Sequence, residues 1–89
     1  MKAGAAMNLL HWSYMKRHQV KALYDAFPNS LVILRKIKSY YVIYYVQWSK
    51  LDPPVHTSNL EAMELLLNRE FNHEENYRGR KKELTDYSS

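Results

Sequence analysis

The chain has no cysteine. That excludes a disulfide, a thiolate zinc site and a cysteine nucleophile, and it fits a reducing compartment. Glycine is nearly absent too: Gly4 and Gly79 are the two, so no glycine-rich loop is available to cradle a phosphate. There is no long uninterrupted apolar run. The stretch from Leu31 to Val46 is broken by Arg35, Lys36 and Lys38, which excludes a membrane-spanning helix there. The opening "MKAGAAMNLLHW" is broken by Asn8 and His11 before a signal-peptide core can form. A soluble, cytoplasmic protein that does not engage a membrane is expected.

Acid is scarce where base is plentiful. Residues 1–50 hold eight Lys/Arg against Asp25 alone, and residues 51–89 hold five bases and eight acids. The two halves therefore carry +7 and −3 within a net charge of +4. A one-sided basic field favours polyanions, because each neutralised phosphate releases counterions.

With 89 residues the chain makes one domain of modest stability. Val20, Leu23, Tyr24 and Phe27 fall at i, i+3, i+4 and i+7, the spacing of a buried helical face. This predicts a first helix over about 8–26, stopped by Pro28 and followed by a turn at "PNS". Two strands come next. The first, over 31–38, starts apolar and turns basic; the second, over 40–48, alternates β-branched and aromatic residues on both faces. A tight turn near Lys36–Ser39 joins them. "KLDPPVHTS" reads as a loop, with Val55 and His56 as a possible short edge strand.

Ser58, with Glu61 three residues on, predicts the cap of a second helix. Its apolar face is Leu60, Met63, Leu67 and Phe71, widened by Leu66. Beyond Asn72 hydrophobicity collapses. The expected fold class is α+β: a helix–β-hairpin–helix domain over 1–72, and a polar tail or frayed helix over 73–89 that folding does not need. A strand apolar on both faces in so short a chain also predicts self-association, a homodimer or larger.

No constellation points to catalysis. His11, His18, His56 and His73 are scattered, and Glu70 with His73 is a lone Glu-x-x-His, where di-metal bundles need two. Ser13, His18 and Asp25 share one predicted helix at offsets that cannot form a triad. An enzyme is not expected, nor a metal or cofactor. The strongest candidate is the basic-aromatic hairpin. Arg35, Lys36 and Lys38 are placed to grip phosphates, with Tyr40 or Tyr41 to stack on a base. Lys16 and Arg17 add cations from the same half. Tyr44 and Tyr45, deeper in the strand, are expected in the core. "YRGRKKE", over 77–83, has the make-up of a basic arm but is diluted by Glu74, Glu75, Glu83 and Asp86.

The segment "YMKRHQVKALYDAFPNSLVILRKIKSYYVIY", over 14–44, resembles the start of MutS-type mismatch-repair proteins. In that family a helix leads through a proline turn into an apolar strand, an arginine and a Gly-Asp-Phe-Tyr-Glu segment. Pro28, Leu31 to Leu34 and Arg35 match in order, and Tyr40-Tyr41 falls on Phe-Tyr after a one-residue insertion. Val42 replaces the glutamate and the Gly-Asp pair is absent. The resemblance implies a helix leading into a sheet; it does not imply mismatch recognition. The resulting expectation is a small nucleic-acid-binding module with little sequence choice. The alternative is a protein-interaction module, a small inhibitor or accessory subunit, docking through its aromatic strand.

Overall fold

A computed structural model describes residues 7–79. Four strands come first: β1 (Leu9–Tyr14), β2 (Gln19–Tyr24), β3 (Phe27–Ile37) and β4 (Tyr40–Gln47). They form an antiparallel sheet in chain order. Helix α1 (Thr57–Glu70) follows, then a short helical segment over 74–79, here α2. The α+β class stands, as does the predicted hairpin.

The predicted first helix is replaced by β1, a turn at residues 15–18, and β2. The physical reason lies in a second periodicity. Val20, Ala22 and Tyr24 alternate with Lys21 and Leu23, and all three are buried while Lys21 is exposed. The helical stripe needed Leu23 in the core, but Leu23 lies on the opposite face from Tyr24 and is only half-buried. The turn has no glycine; His18 takes the left-handed conformation, φ 55°, which histidine tolerates better than most residues. Its carbonyl accepts the Lys36 N–H at 2.7 Å, and this ties the turn to β3.

Pro28 does not end a helix. It lies near the start of β3, between the Phe27–Tyr24 pair and Leu31, where pairing with β4 begins. Its missing N–H therefore breaks no bond to β4. The chain reverses one step earlier, at Asp25–Ala26. The Asp25 carboxylate accepts the Asn8 backbone N–H at 2.8 Å and its side-chain amide at 3.0 Å. These bonds hold Asp25 below the usual carboxylate range.

One face of the sheet is covered. Val20, Ala22, Tyr24, Val32, Leu34 and Tyr41 meet Met63 and Leu67 of α1 in a single core. Each large side chain taken fully from water there contributes roughly 1.5–3 kcal/mol. The apolar stripe of α1 is the expected one, but its start is not. The helix begins at Thr57 behind His56, whose N–H donates to Asn59 Oδ1 at 2.8 Å; Ser58 lies inside the first turn. Val55 and His56 form no strand, although Val55 packs against the core.

The helix ends where Asn72 turns left-handed, φ 63°. Its N–H donates to the Arg69 carbonyl at 3.2 Å and the His73 N–H to the Asn68 carbonyl at 2.7 Å, the bond pair of a Schellman stop.

The described part of the predicted tail packs. Tyr77 is 5% exposed. Its hydroxyl donates to Glu64 Oε1 at 2.6 Å, and its ring meets Tyr40 edge-on at 6.4 Å. Glu74 bridges Arg69 and Arg78 at 3.1 and 2.8 Å. Residues 80–89, with most of the basic arm, lie outside the described residues. Tyr77→Ala is expected to cost about 2–3 kcal/mol in urea denaturation, from lost burial and one lost hydrogen bond. Tyr77→Phe should lose only about 1 kcal/mol. An alanine variant as stable as the parent would mean that α2 does not dock.

Candidate nucleic-acid interface

The site begins with strand direction. In an antiparallel meander the β1–β2 turn and the β3–β4 turn fall at the same end of the sheet, and the β2–β3 turn falls at the other. The first end therefore receives Lys16, Arg17 and His18 from one turn, Arg35 and Lys36 from β3, and Lys38 from the hairpin tip. The other end receives Asp25. Asp52 follows β4 to that same end, where its carboxylate accepts bonds from Asn29 and from the Ser30 hydroxyl at 2.5 Å. Lys16, Arg17, Arg35, Lys36 and Lys38 thus gather at one end of the strands.

Four of the predicted cations come together. Gln19 pairs with Arg35 across β2 and β3, which brings Lys16 and Arg17 to Arg35 and Lys36. They line an open groove of about 620 Å³, together with His18, Gln19 and Tyr44. Among the described residues no acidic side chain lines it. Low-dielectric walls carrying one sign of charge focus the field into such a groove. Lys38 stands apart at the exposed hairpin tip, with φ 58°.

The tyrosines sort differently from expectation. Tyr41 is 5% exposed and packs against Phe71 at 5.0 Å and His73 at 6.2 Å. Burial first, and coupling to the nearby Tyr14 phenol second, raise its pKa. It cannot stack on a ligand without leaving the core. Tyr40 is half-buried against Tyr77.

Tyr44 and Tyr45, expected in the core, are 58% and 56% exposed. A β-bulge explains the reversal. Ile33 pairs with Tyr45 and Leu34 with Ile43, so Tyr44 is the extra residue. A bulge places two consecutive side chains on one side of a strand. Ile43 and Val46 keep their places on the core, while both tyrosines go to the open face. The Arg35 guanidinium lies 5.2 Å from the centre of the Tyr44 ring, within cation–π reach. No sequence signal marked the bulge, since the strand has neither glycine nor a break in its aromatic run.

The outer edge of β4 is occupied by the helix. Asn68, fully buried, accepts the Tyr41 N–H through Oδ1 at 2.7 Å and donates to the Tyr41 carbonyl through Nδ2 at 2.8 Å. Glu64 Oε2 accepts the Ile43 N–H at 2.8 Å. Two side chains of α1 thus stand where a fifth strand would pair. Among the described residues no three His, Asp or Glu side chains gather as metal ligands, and no helix is long and apolar enough to cross a membrane.

Fold and groove together define a class: a small α+β protein built on a four-stranded meander, one face under a helix, with a basic groove at one end. Residues 8–82 match the family described as "Uncharacterised protein YuzH", and the chain belongs to that family. No curated protein and no solved structure matches it.

Proposed function

We propose that this protein binds nucleic acid through the basic groove, with little sequence choice and without catalysis. One observation carries the reading: Lys16, Arg17, Arg35 and Lys36, from a turn and a strand distant in sequence, line one groove that no carboxylate of the described residues lines. Cations collected by chance on a surface are usually interspersed with acids, whereas here the acids of the described residues sit at the far end of the sheet or on the helices. A phosphate backbone is the polyanion that rewards this layout, through counterion release. The rival role, docking a protein along the aromatic strand, has the outer edge of β4 at Tyr41 and Ile43 closed to it by α1 and keeps the open face of the strand.

The test is fluorescence anisotropy with a labelled oligonucleotide across a salt series. Replacing Lys16, Arg17, Arg35 and Lys36 by glutamine is expected to weaken binding at least tenfold at low salt. It should also flatten the slope of log K against log salt by roughly 3, since up to four phosphate contacts go. Unchanged binding by a folded glutamine variant would sink the proposal.

A further inference from the structure

We infer that the ligand is single-stranded, its bases stacked on Tyr44 and Tyr45 while its phosphates lie in the basic groove; this rests on the nucleic-acid reading of the groove. The argument starts from the bulge in β4. Without it the strand would alternate, and one of these two tyrosines would point to the core. With it, both rings stand on the open face, more than half exposed and adjacent. Single apolar side chains on a surface need no explanation, but two neighbouring rings on the face that neither described helix covers form a patch.

The position of the patch selects the ligand. Tyr44 lines the basic groove itself. The Arg35 guanidinium lies over its ring, and the side chain stays more than half exposed. Tyr45 pairs with Ile33 at the neighbouring register position. At about 4.8 Å between strands, β4 lies roughly 10 Å from β2, whose leading turn supplies Lys16 and Arg17. A few nucleotides cover that distance. A duplex presents phosphates outward and keeps its bases enclosed, so rings on a flat sheet face have nothing to stack on. A single strand exposes both parts at once: π-faces for the tyrosines and phosphates for the cations.

The experiment compares a labelled ten-residue oligothymidylate with a DNA hairpin duplex of equal phosphate number, at one salt concentration and then across a series. The proteins are the parent, Tyr44→Ala/Tyr45→Ala, Tyr44→Phe/Tyr45→Phe, Tyr45→Ala alone, and the groove glutamine variant, each checked for folding by circular dichroism. The parent is expected to prefer the single strand by at least tenfold. The double alanine variant should lose at least roughly 30-fold on the single strand, about fivefold or more for each ring, keep its duplex affinity within about twofold, and keep its salt slope. The phenylalanine variant should bind as the parent does, since stacking needs the ring and not the hydroxyl. Tyr45→Ala, which leaves the Arg35–Tyr44 contact in place, should lose part of the single-strand preference. Equal affinity of the parent for both ligands, or no loss in either alanine variant, overturns the stacking inference. If the glutamine variant still loses binding in that case, the groove reading survives alone. A parent that binds neither ligand overturns both.

Discussion

Asn68→Leu is expected to lower stability by about 3–5 kcal/mol and to add association through the edge of β4 to whatever association the parent shows. Leucine keeps the branched shape of asparagine and is larger, so the loss would come from hydrogen bonds and not from a cavity. Asn68 is fully buried and its amide makes three bonds: the Tyr41 N–H to Oδ1, and Nδ2 to the carbonyls of Tyr41 and Glu64. The Glu64 carbonyl also has its place in the helix ladder, so it is not orphaned. The Tyr41 N–H and carbonyl face away from β3 and would be left without partners. Each buried unsatisfied group costs roughly 1–3 kcal/mol, against a total stability of about 4–13 kcal/mol for a domain of this size. The freed groups also re-create a bare strand edge, the template on which a second chain pairs. Urea denaturation should show the loss, and a sizing column should show mass rising with concentration. A leucine variant as stable and as dispersed as the parent would mean that Asn68 does not guard the edge.

This edge is also where legibility in the sequence ended. The α1 stripe was readable because Met63 and Leu67 obey one period, and no competing pattern fits Leu60 to Phe71. The hairpin was readable from its β-branched and aromatic density. Residues 8–26 were not, because Val20 to Phe27 satisfies both a helical and a strand period. The deciding residue, Ala22, is too small to stand out as core although it is 1% exposed. Turns built on His18 and Lys38 in left-handed conformations carry no glycine to announce them. Of the site, the cations were legible singly, but their convergence depends on β1 and β2 being strands. The exchange of Tyr41 for Tyr44 depends on a bulge that is settled by packing across the sheet. Asn68 reads as an ordinary polar helix residue until the helix crosses the edge of β4.

Tyr24 offers the other large effect and a pH signature. It is fully buried at the centre of the core, and its hydroxyl donates to the Met63 carbonyl at 2.7 Å. Tyr24→Ala should cost about 3–5 kcal/mol through the cavity it leaves. Tyr24→Phe should cost only about 1 kcal/mol, because the Met63 carbonyl keeps its bond within the helix. Burial first, and the charge of Glu64 second, push the Tyr24 phenol well above its ordinary value of 10.0. The folded state therefore holds the proton while the unfolded chain releases it near pH 10. This contribution is fully present below pH 10 and is lost as pH rises above it toward the folded pKa, since the unfolded state then binds fewer protons. The parent should thus lose stability steeply above pH 10. The phenylalanine variant should start lower but decline more gently, with Tyr41, also shifted upward by burial, responsible for part of what remains. The two curves should converge as the solution grows more alkaline. Parallel curves across pH 9–12 would show that Tyr24 ionises freely in the fold and that the core at Met63 is open to water.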